Sequence, residues 1–153
     1  MENIFGNIYC FFQSFFGQGM VDFMWGLNCE ISDYKEPVRY NTYGIYMSVS
    51  VILIAVLYYF VLSYVKLSKW WIWLIIALLV GIGNGVYSYY DLNWLYENGD
   101  IQDCHNITIE HLRGFAIANT IVTVLSFTIV SFLFKRFSSN GKNTPWPSIW
   151  PKH

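Results

Sequence analysis

Three long stretches without a charged residue constrain this chain more than any other feature of its sequence. They cover residues 43–65, 70–90 and 114–134, and each is predominantly apolar. A helix rises about 1.5 Å per residue, so each stretch is long enough to cross a hydrocarbon core of roughly 30 Å. We therefore predict three membrane-spanning helices here, the last of them over about 113–135.

The N-terminal segment 4–26 is rich in Phe but also carries a stripe of polar residues. At about 100° per residue, Asn7, Ser14, Gln18 and Asp22 fall on one face of a helix. A helix that lies flat on a membrane usually has Lys or Arg on its polar face, and this segment contains neither. We therefore expect a fourth, amphipathic membrane helix over 4–26, with an interfacial or re-entrant helix as the alternative.

Composition supports a membrane protein, because 55% of the residues are hydrophobic and 12% are charged. Ordinary soluble domains are about one-quarter charged. The predicted fold is an all-α bundle of four transmembrane helices in one domain over 1–137, followed by a polar, Pro- and Trp-containing tail over 138–153. A net charge of −1 without a basic cluster argues against nucleic acid as a partner and leaves the lipid bilayer as the main one.

Lysine and arginine in short connections indicate which side of the membrane a loop occupies, since such loops stay in the cytoplasm. Lys66 and Lys69 lie between the second and third predicted helices, and Lys135 and Arg136 end the fourth. The connection 91–112 carries five carboxylates and no Lys or Arg, so we expect it outside. With four spans, both termini are expected in the cytoplasm, and the protein in a plasma or inner membrane.

Two of the three cysteines fall in the connections that are predicted to face outward. Cys29 follows the first predicted helix and Cys104 lies between the third and the fourth. An outward-facing compartment can be oxidising, so we predict a Cys29–Cys104 disulfide that ties the two connections together. Two unrelated free thiols are the alternative.

The outer connection also contains residue types that bind transition metals. Asp103, Cys104 and His105 are adjacent, and Glu110 and His111 follow them. Carboxylate, thiolate and imidazole are suitable ligands, but this spacing matches no established metal-binding pattern. We therefore expect an ordinary solvated loop, with no metal and no other cofactor.

Uncharged polar residues inside the predicted helices are the strongest pointers to function. Asn84 and Asn119 lie at similar depths, about 9 Å below the outer boundary, and Ser48 and Gln18 lie at comparable depths in their own helices. Thr123 follows Asn119 by one helical turn. Such residues need partners in lipid, so they predict a polar belt that either joins the helices or lines a path.

Small residues at four-residue spacing accompany both asparagines. Gly81 and Gly85 flank Asn84, while Gly114 and Ala118 precede Asn119. This spacing lets another helix approach closely. We expect both pairs to form helix-packing seams, either within one chain or between copies.

The favoured functional hypothesis is a non-enzymatic, multi-pass protein that self-associates through these seams. It would form or gate a channel-like polar path lined by Asn84, Asn119, Gln18 and Ser48. The alternative is a scaffold or anchor subunit of a larger membrane complex.

A small transporter or intramembrane enzyme is a second alternative, and it is disfavoured because the three long stretches contain no charged or His residue. In the tail, Trp146 and Trp150 stand next to prolines. They are candidates for docking a soluble partner, because Trp beside Pro offers a large contact area at little ordering cost.

Overall fold

A computed structural model describes residues 4–29, 31, 33–34, 37–61, 70–101 and 103–137 of the chain. The described part is almost entirely helical. Its elements in chain order are α1 (Ile4–Cys10), α2 (Gln13–Trp25), β1 (Leu27–Asn28), β2 (Asp33–Tyr34), α3 (Arg39–Val56), a π-helical segment (Leu57–Val61), α4 (Trp70–Glu97), a 3-10 turn (Asp103–His105) and α5 (Ile109–Phe137).

Three of these helices are long and apolar enough to cross a membrane, as the sequence predicts. The qualifying segments are Arg39–Phe60, Trp70–Glu97 and Ile109–Phe134. Each extends beyond the predicted bounds at the end that carries polar or charged residues. A helix satisfies its own backbone hydrogen bonds wherever it lies, so it continues past the point where its side chains become polar.

The N-terminal segment departs from the single helix predicted over 4–26. It forms two helices, α1 of 7 residues and α2 of 13 residues, separated by a turn at Phe11 and Phe12. Neither helix reaches the roughly 20 residues that a membrane span needs. A second bend occurs within α2 at Gly17, whose φ of 74° and ψ of 166° are accessible essentially only to glycine.

The two N-terminal helices fold back on each other. The Trp25 indole at the end of α2 lies against Gly6 near the start of α1. The pair packs on the first turns of the long helices: the Phe5 ring contacts Gly44 of α3, and the Phe15 carbonyl contacts Gly114 of α5. We call the α1–α2 pair the cap, and the end of the bundle that it covers the cap end.

Helix α5 is the centre of the bundle and contacts all four other α-helices. Its most extensive contact is with α4. The buried aromatic residues Tyr9, Phe16, Tyr40 and Phe115 pack where the cap meets α3 and α5. These aromatic residues are the part of the hydrophobic core that lies at the cap end.

The chain leaves α2 through Gly26, whose left-handed backbone (φ 82°) ends the helix. A two-stranded antiparallel ribbon follows, pairing Leu27 with Tyr34 and Asn28 with Asp33. The predicted tail with Trp146 and Trp150, and the basic connection with Lys66 and Lys69, lie outside the described residues.

Candidate functional site

A chain of hydrogen bonds links the cap to the long helices. The Tyr9 hydroxyl of α1 donates to Oδ1 of Asn119 in α5 at 2.6 Å. The Asn119 amide in turn donates from Nδ2 to the backbone carbonyl of Asn84 in α4 at 3.0 Å. Burial raises the pKa of Tyr9, so its hydroxyl stays protonated and serves as the donor.

The same chain continues from α4 to α3. Nδ2 of Asn84 donates to Oγ of Ser50 at 2.9 Å and to the carbonyl of Val80 in its own helix at 3.0 Å. The Ser50 hydroxyl donates to the Met47 carbonyl at 2.8 Å. Four helices thus meet in one hydrogen-bonded group, Tyr9, Asn119, Asn84 and Ser50, which we call the polar cluster.

Both asparagines of the polar cluster are buried, with 2% of Asn119 and 8% of Asn84 exposed. Their donors are engaged by side chains or backbone of the same chain, which is how buried polar groups avoid the cost of lost hydration. Among the described residues, the buried side-chain polar atom without a partner is the Tyr40 hydroxyl. The polar cluster therefore joins helices rather than presenting free donors.

The structure brings together only part of the predicted belt. Asn84 and Asn119 meet, and Thr123 lies buried one turn along α5 with its hydroxyl on the Asn119 carbonyl at 2.6 Å. Ser48 instead donates to the Gly44 carbonyl of its own helix at 2.7 Å. Gln18 lies on the exposed face of α2, outside the cluster.

Gln18 belongs to a separate polar stripe on the cap. Nε2 of Gln13 donates to Oε1 of Gln18 at 2.5 Å, and Nε2 of Gln18 donates to Oδ1 of Asp22 at 3.0 Å. The cap also exposes an apolar side chain: Phe11, in the turn between α1 and α2, is 84% exposed. The surface of the cap therefore carries both polar and apolar side chains.

The glycine pair of α4 packs against α5 of the same chain. A Cβ at Gly81 would lie 2.6 Å from Cγ2 of Val124 and 3.1 Å from the Thr120 carbonyl. A Cβ at Gly85 would overlap the Thr120 hydroxyl and lie 2.9 Å from the Ala116 carbonyl. The predicted seam thus lies between α4 and α5 of one chain.

The second small-residue pair supports the cap. A Cβ at Gly114 would overlap the Phe15 carbonyl and lie 3.2 Å from the Phe16 Cα, and Ala118 is fully buried. Both predicted seams are occupied by helices of this chain. A second copy would have to bind elsewhere.

Sequence reasoning missed Tyr9 and Ser50 as members of the polar cluster. Tyr9 stands in an apolar, aromatic run, where an interfacial tyrosine and a buried hydrogen-bonding one have the same local pattern. Ser50 is two residues from Ser48, and two residues turn a helix by about 200°, so depth alone could not show which serine faces α4.

A second polar contact joins α3 to α4 at the cap end. The Tyr43 hydroxyl donates to Oδ2 of Asp91 at 2.6 Å, and one turn further the Tyr46 and Tyr87 rings lie 5.2 Å apart between centroids. Nearby, the Arg39 guanidinium lies over the Phe23 ring, 4.7 Å from its centroid. These contacts join the first turns of α3 to both α4 and the cap.

Cys29 and Cys104 lie at disulfide distance, as predicted, with their Cα atoms 6.4 Å apart. The pair joins the ribbon that follows α2 to the 3-10 turn before α5. Neither the Asn119–Asn84 contact nor the seams involve these residues. A disulfide between them would connect the ribbon to the turn before α5 independently of those contacts.

The candidate metal ligands of the outer connection come together only in part: among the described residues, Cys104 and His105 form a group with Cys29 whose ligand atoms lie within 4.8 Å of one another, and Glu110 and His111 are not in that group. The His111 imidazole accepts the Thr108 backbone N–H at Nδ1, 3.2 Å away, and packs against Gly17 of the cap. Nε2 of His105 is 3.7 Å from the Cys29 sulfur. The Asp103 side chain lies outside the described residues.

No protein-family model matches the chain, and no curated protein or solved structure is significantly similar to it.

Proposed function

We propose that this chain is a non-enzymatic membrane anchor or scaffold subunit, in which α3, α4 and α5 cross the bilayer and the cap covers their extracytoplasmic end. The observation that carries the proposal is the polar cluster. Tyr9, Asn119 and Asn84 are hydrogen-bonded to one another and to neighbouring helices. Buried polar groups that are used in this way hold helices in one arrangement.

The outward faces of the long helices support placement in lipid. Val49 of α3, Leu79 of α4 and Ile129 of α5 are each more than half exposed. Lipid tails are as apolar as the helix surfaces, so the hydrophobic effect does not favour one arrangement of membrane helices over another. Packing and hydrogen bonds decide the arrangement. At about 0.6 kcal/mol each on average, the three interhelical bonds of the polar cluster would contribute roughly 2 kcal/mol.

The cap supports three spans rather than four. Its helices rise about 10 Å and 20 Å at 1.5 Å per residue, short of a core of roughly 30 Å. Both ends of the cap return to the same end of the bundle, where Trp25 meets Gly6. The basic residues Lys135 and Arg136 at the far end favour cytoplasm there, so the proposed topology has the N-terminus outside and the C-terminus inside.

The distribution of reactive side chains supports a non-enzymatic role. Within the three long helices, carboxylates and imidazole occur near the cap end, at Asp91, Glu97, Glu110 and His111. Asp91 is engaged by the Tyr43 hydroxyl and Glu97 by the amide of Asn93. An intramembrane enzyme or ion-coupled transporter needs such groups inside the membrane.

A channel-like path between copies of the chain is the second candidate function. The observation that favours it is the polar stripe of Gln13, Gln18 and Asp22 on the cap, in which Gln18 is exposed and the other two are half-buried. Neutral amides that face one another across an oligomer axis could line a wet path. The small-residue seams are used within the chain, so self-association would depend on other faces.

Ion flux into sealed liposomes that hold the purified protein separates the two functions. Wild type, Asn84→Leu and Gln18→Leu would be compared at matched incorporation, with the chain count per particle determined by native mass spectrometry. We expect all three to match protein-free liposomes, because an anchor has no conducting path.

Flux in wild type that Gln18→Leu changes and Asn84→Leu leaves intact would replace the anchor with a path between copies. Flux that Asn84→Leu changes would place a path inside one chain. The first result, obtained with a defined homo-oligomer, or the second result at any chain count would overturn the anchor proposal.

A further inference from the structure

A third potential ligand stands beside the two paired cysteines. The sulfur atoms of Cys29 and Cys104 and a ring nitrogen of His105 lie within 4.8 Å of one another. The sequence predicts the pairing of the two cysteines, which are 75 residues apart, but it does not show that the His105 ring lies beside both sulfur atoms. Two thiolates and one imidazole are a donor set that zinc and similar ions prefer.

We propose that these three residues form a redox-controlled site for one zinc-class ion: a disulfide when oxidised, and a Cys2His metal site when reduced. Bonds of about 2.3 Å to sulfur and 2.0–2.1 Å to nitrogen, at a tetrahedral angle, place the two ligand atoms roughly 3.6 Å apart. Cys29 Sγ and His105 Nε2 are 3.7 Å apart. The imidazole therefore already stands where it would share an ion with Cys29.

The surroundings hold His105 in this position. It is 5% exposed, and its ring packs edge to face on Phe23 at 5.6 Å between centroids. The His105 carbonyl lies so close to Gly19 that a Cβ at that position would overlap it. Directly after His105 the chain turns at Asn106, whose φ is 48°. These contacts orient the imidazole before any ion binds.

Access and charge also suit an ion. Cys104 is exposed, so an ion can reach the site from solvent while His105 closes its inner side. The Cα separation of 6.4 Å lets the sulfur atoms move to roughly 3.8 Å apart, as two ligands of one zinc ion require, by side-chain rotation. Two thiolates neutralise a divalent ion, and a fourth position stays open for water.

The site passes between its oxidised and reduced states by thiol–disulfide exchange. Two thiol groups of a small-molecule reductant give two electrons and two protons to the Cys29–Cys104 bond and become a disulfide themselves. The two cysteine thiols then lose their protons to solvent as the ion binds. In the reverse direction, a disulfide oxidant takes two electrons from the thiolates and two protons from solvent to become two thiols, while the Cys29–Cys104 bond re-forms and the ion is released.

Cobalt(II) is a suitable probe, because thiolate-bound tetrahedral Co²⁺ absorbs visible and near-ultraviolet light. The purified full chain in detergent would be titrated with Co²⁺ before and after treatment with a dithiol that is then removed. We expect one equivalent to bind to the reduced protein and none to the oxidised protein. Competition with Zn²⁺ should remove the absorption.

Variants test the role of the imidazole. His105→Gln and His105→Ala should each weaken Co²⁺ binding by more than roughly tenfold, which is the effect of losing a residue that only hydrogen-bonds to a metal ligand. The controls His111→Gln and Cys10→Ser should bind Co²⁺ like wild type. The oxidised and reduced wild types share one chain, so a folding defect in a variant does not obscure the comparison.

Two results would overturn the proposal. The first is reduced wild type that keeps its helical circular dichroism and binds no Co²⁺. The second is unchanged affinity in both His105 variants, which would show that the two thiols bind the ion without the imidazole.

Discussion

The side-chain amide of Asn119 donates a hydrogen bond to the backbone carbonyl of Asn84, 3.0 Å away and 35 residues earlier in the chain. A helical carbonyl has a second lone pair, so it can accept this bond in addition to its own helical one. The contact requires α4 and α5 to lie close together, and the small Gly81 and Gly85 side of α4 allows that approach. The Asn119–Asn84 hydrogen bond and the close packing at Gly81 and Gly85 therefore depend on each other.

Replacing Asn119 with Leu should lower the free energy of unfolding by about 1–3 kcal/mol, because the Tyr9 hydroxyl is left buried without its acceptor. Titration of the protein from mild detergent into SDS, followed by circular dichroism, measures the change. Thr128→Val is the matched control, since its hydroxyl donates within α5 to the Val124 carbonyl. A loss for Asn119→Leu no larger than that of the control would contradict the structural role of the polar cluster.

Gly85→Ala should destabilise the protein by about 1–3 kcal/mol through overpacking, because the new methyl group overlaps the Thr120 hydroxyl. Gly83→Ala is the control on the same helix, where a Cβ meets nothing within 4 Å. The control should be neutral or slightly stabilising, because Ala favours helix over Gly by about 1 kcal/mol. Melting temperatures in detergent measure both, and equal shifts would contradict the α4–α5 seam.

Tags at the two termini should lie on opposite sides of the membrane, because we propose three spans. An epitope before Met1 should be accessible to antibody on intact cells, and one after His153 only after permeabilisation. A chain with four spans would hide both tags until permeabilisation. That second pattern would restore a membrane span over residues 4–26.

The Cys29–Cys104 pair should give a faster-migrating band on a non-reducing gel, and Cys29→Ser or Cys104→Ser should abolish the shift. Cys10→Ser is the control and should leave the shift unchanged, since Cys10 lies in α1 and is a free thiol. Loss of the bond should cost about 2–4 kcal/mol of stability, because it closes a loop of 75 residues. One unshifted band in wild type under oxidising conditions would remove the disulfide.

The three long helices could be predicted from the sequence because their signal is local. Each lies in a continuous apolar run, and the length of that run matches the thickness of a bilayer. The Asn84–Asn119 contact was also accessible, because depth along a helix follows from residue number once the ends are known. The side of a helix on which a residue lies was harder to predict. Ser48 and Ser50 are equally polar, but only Ser50 faces Asn84.

The cap shows where sequence reasoning failed. Residues 4–26 read as one amphipathic helix, yet the turn at Phe11 and Phe12 contains no Pro or Gly to mark it. Gly17 was the available signal, because a glycine in a helix can mark a conformation that other residues disfavour. The fold of the cap depends on what it packs against, namely the first turns of α3 and α5.

The sequence by itself determined the number and place of the long apolar helices, since helix formation and hydrophobicity depend on neighbouring residues. It also placed the two cysteines in adjoining connections. Only the tertiary structure decided that α1 and α2 bend into a cap, that the glycine seams lie within one chain, and that His105 stands beside Cys29. Those outcomes depend on contacts between residues far apart in the chain, which no local pattern encodes.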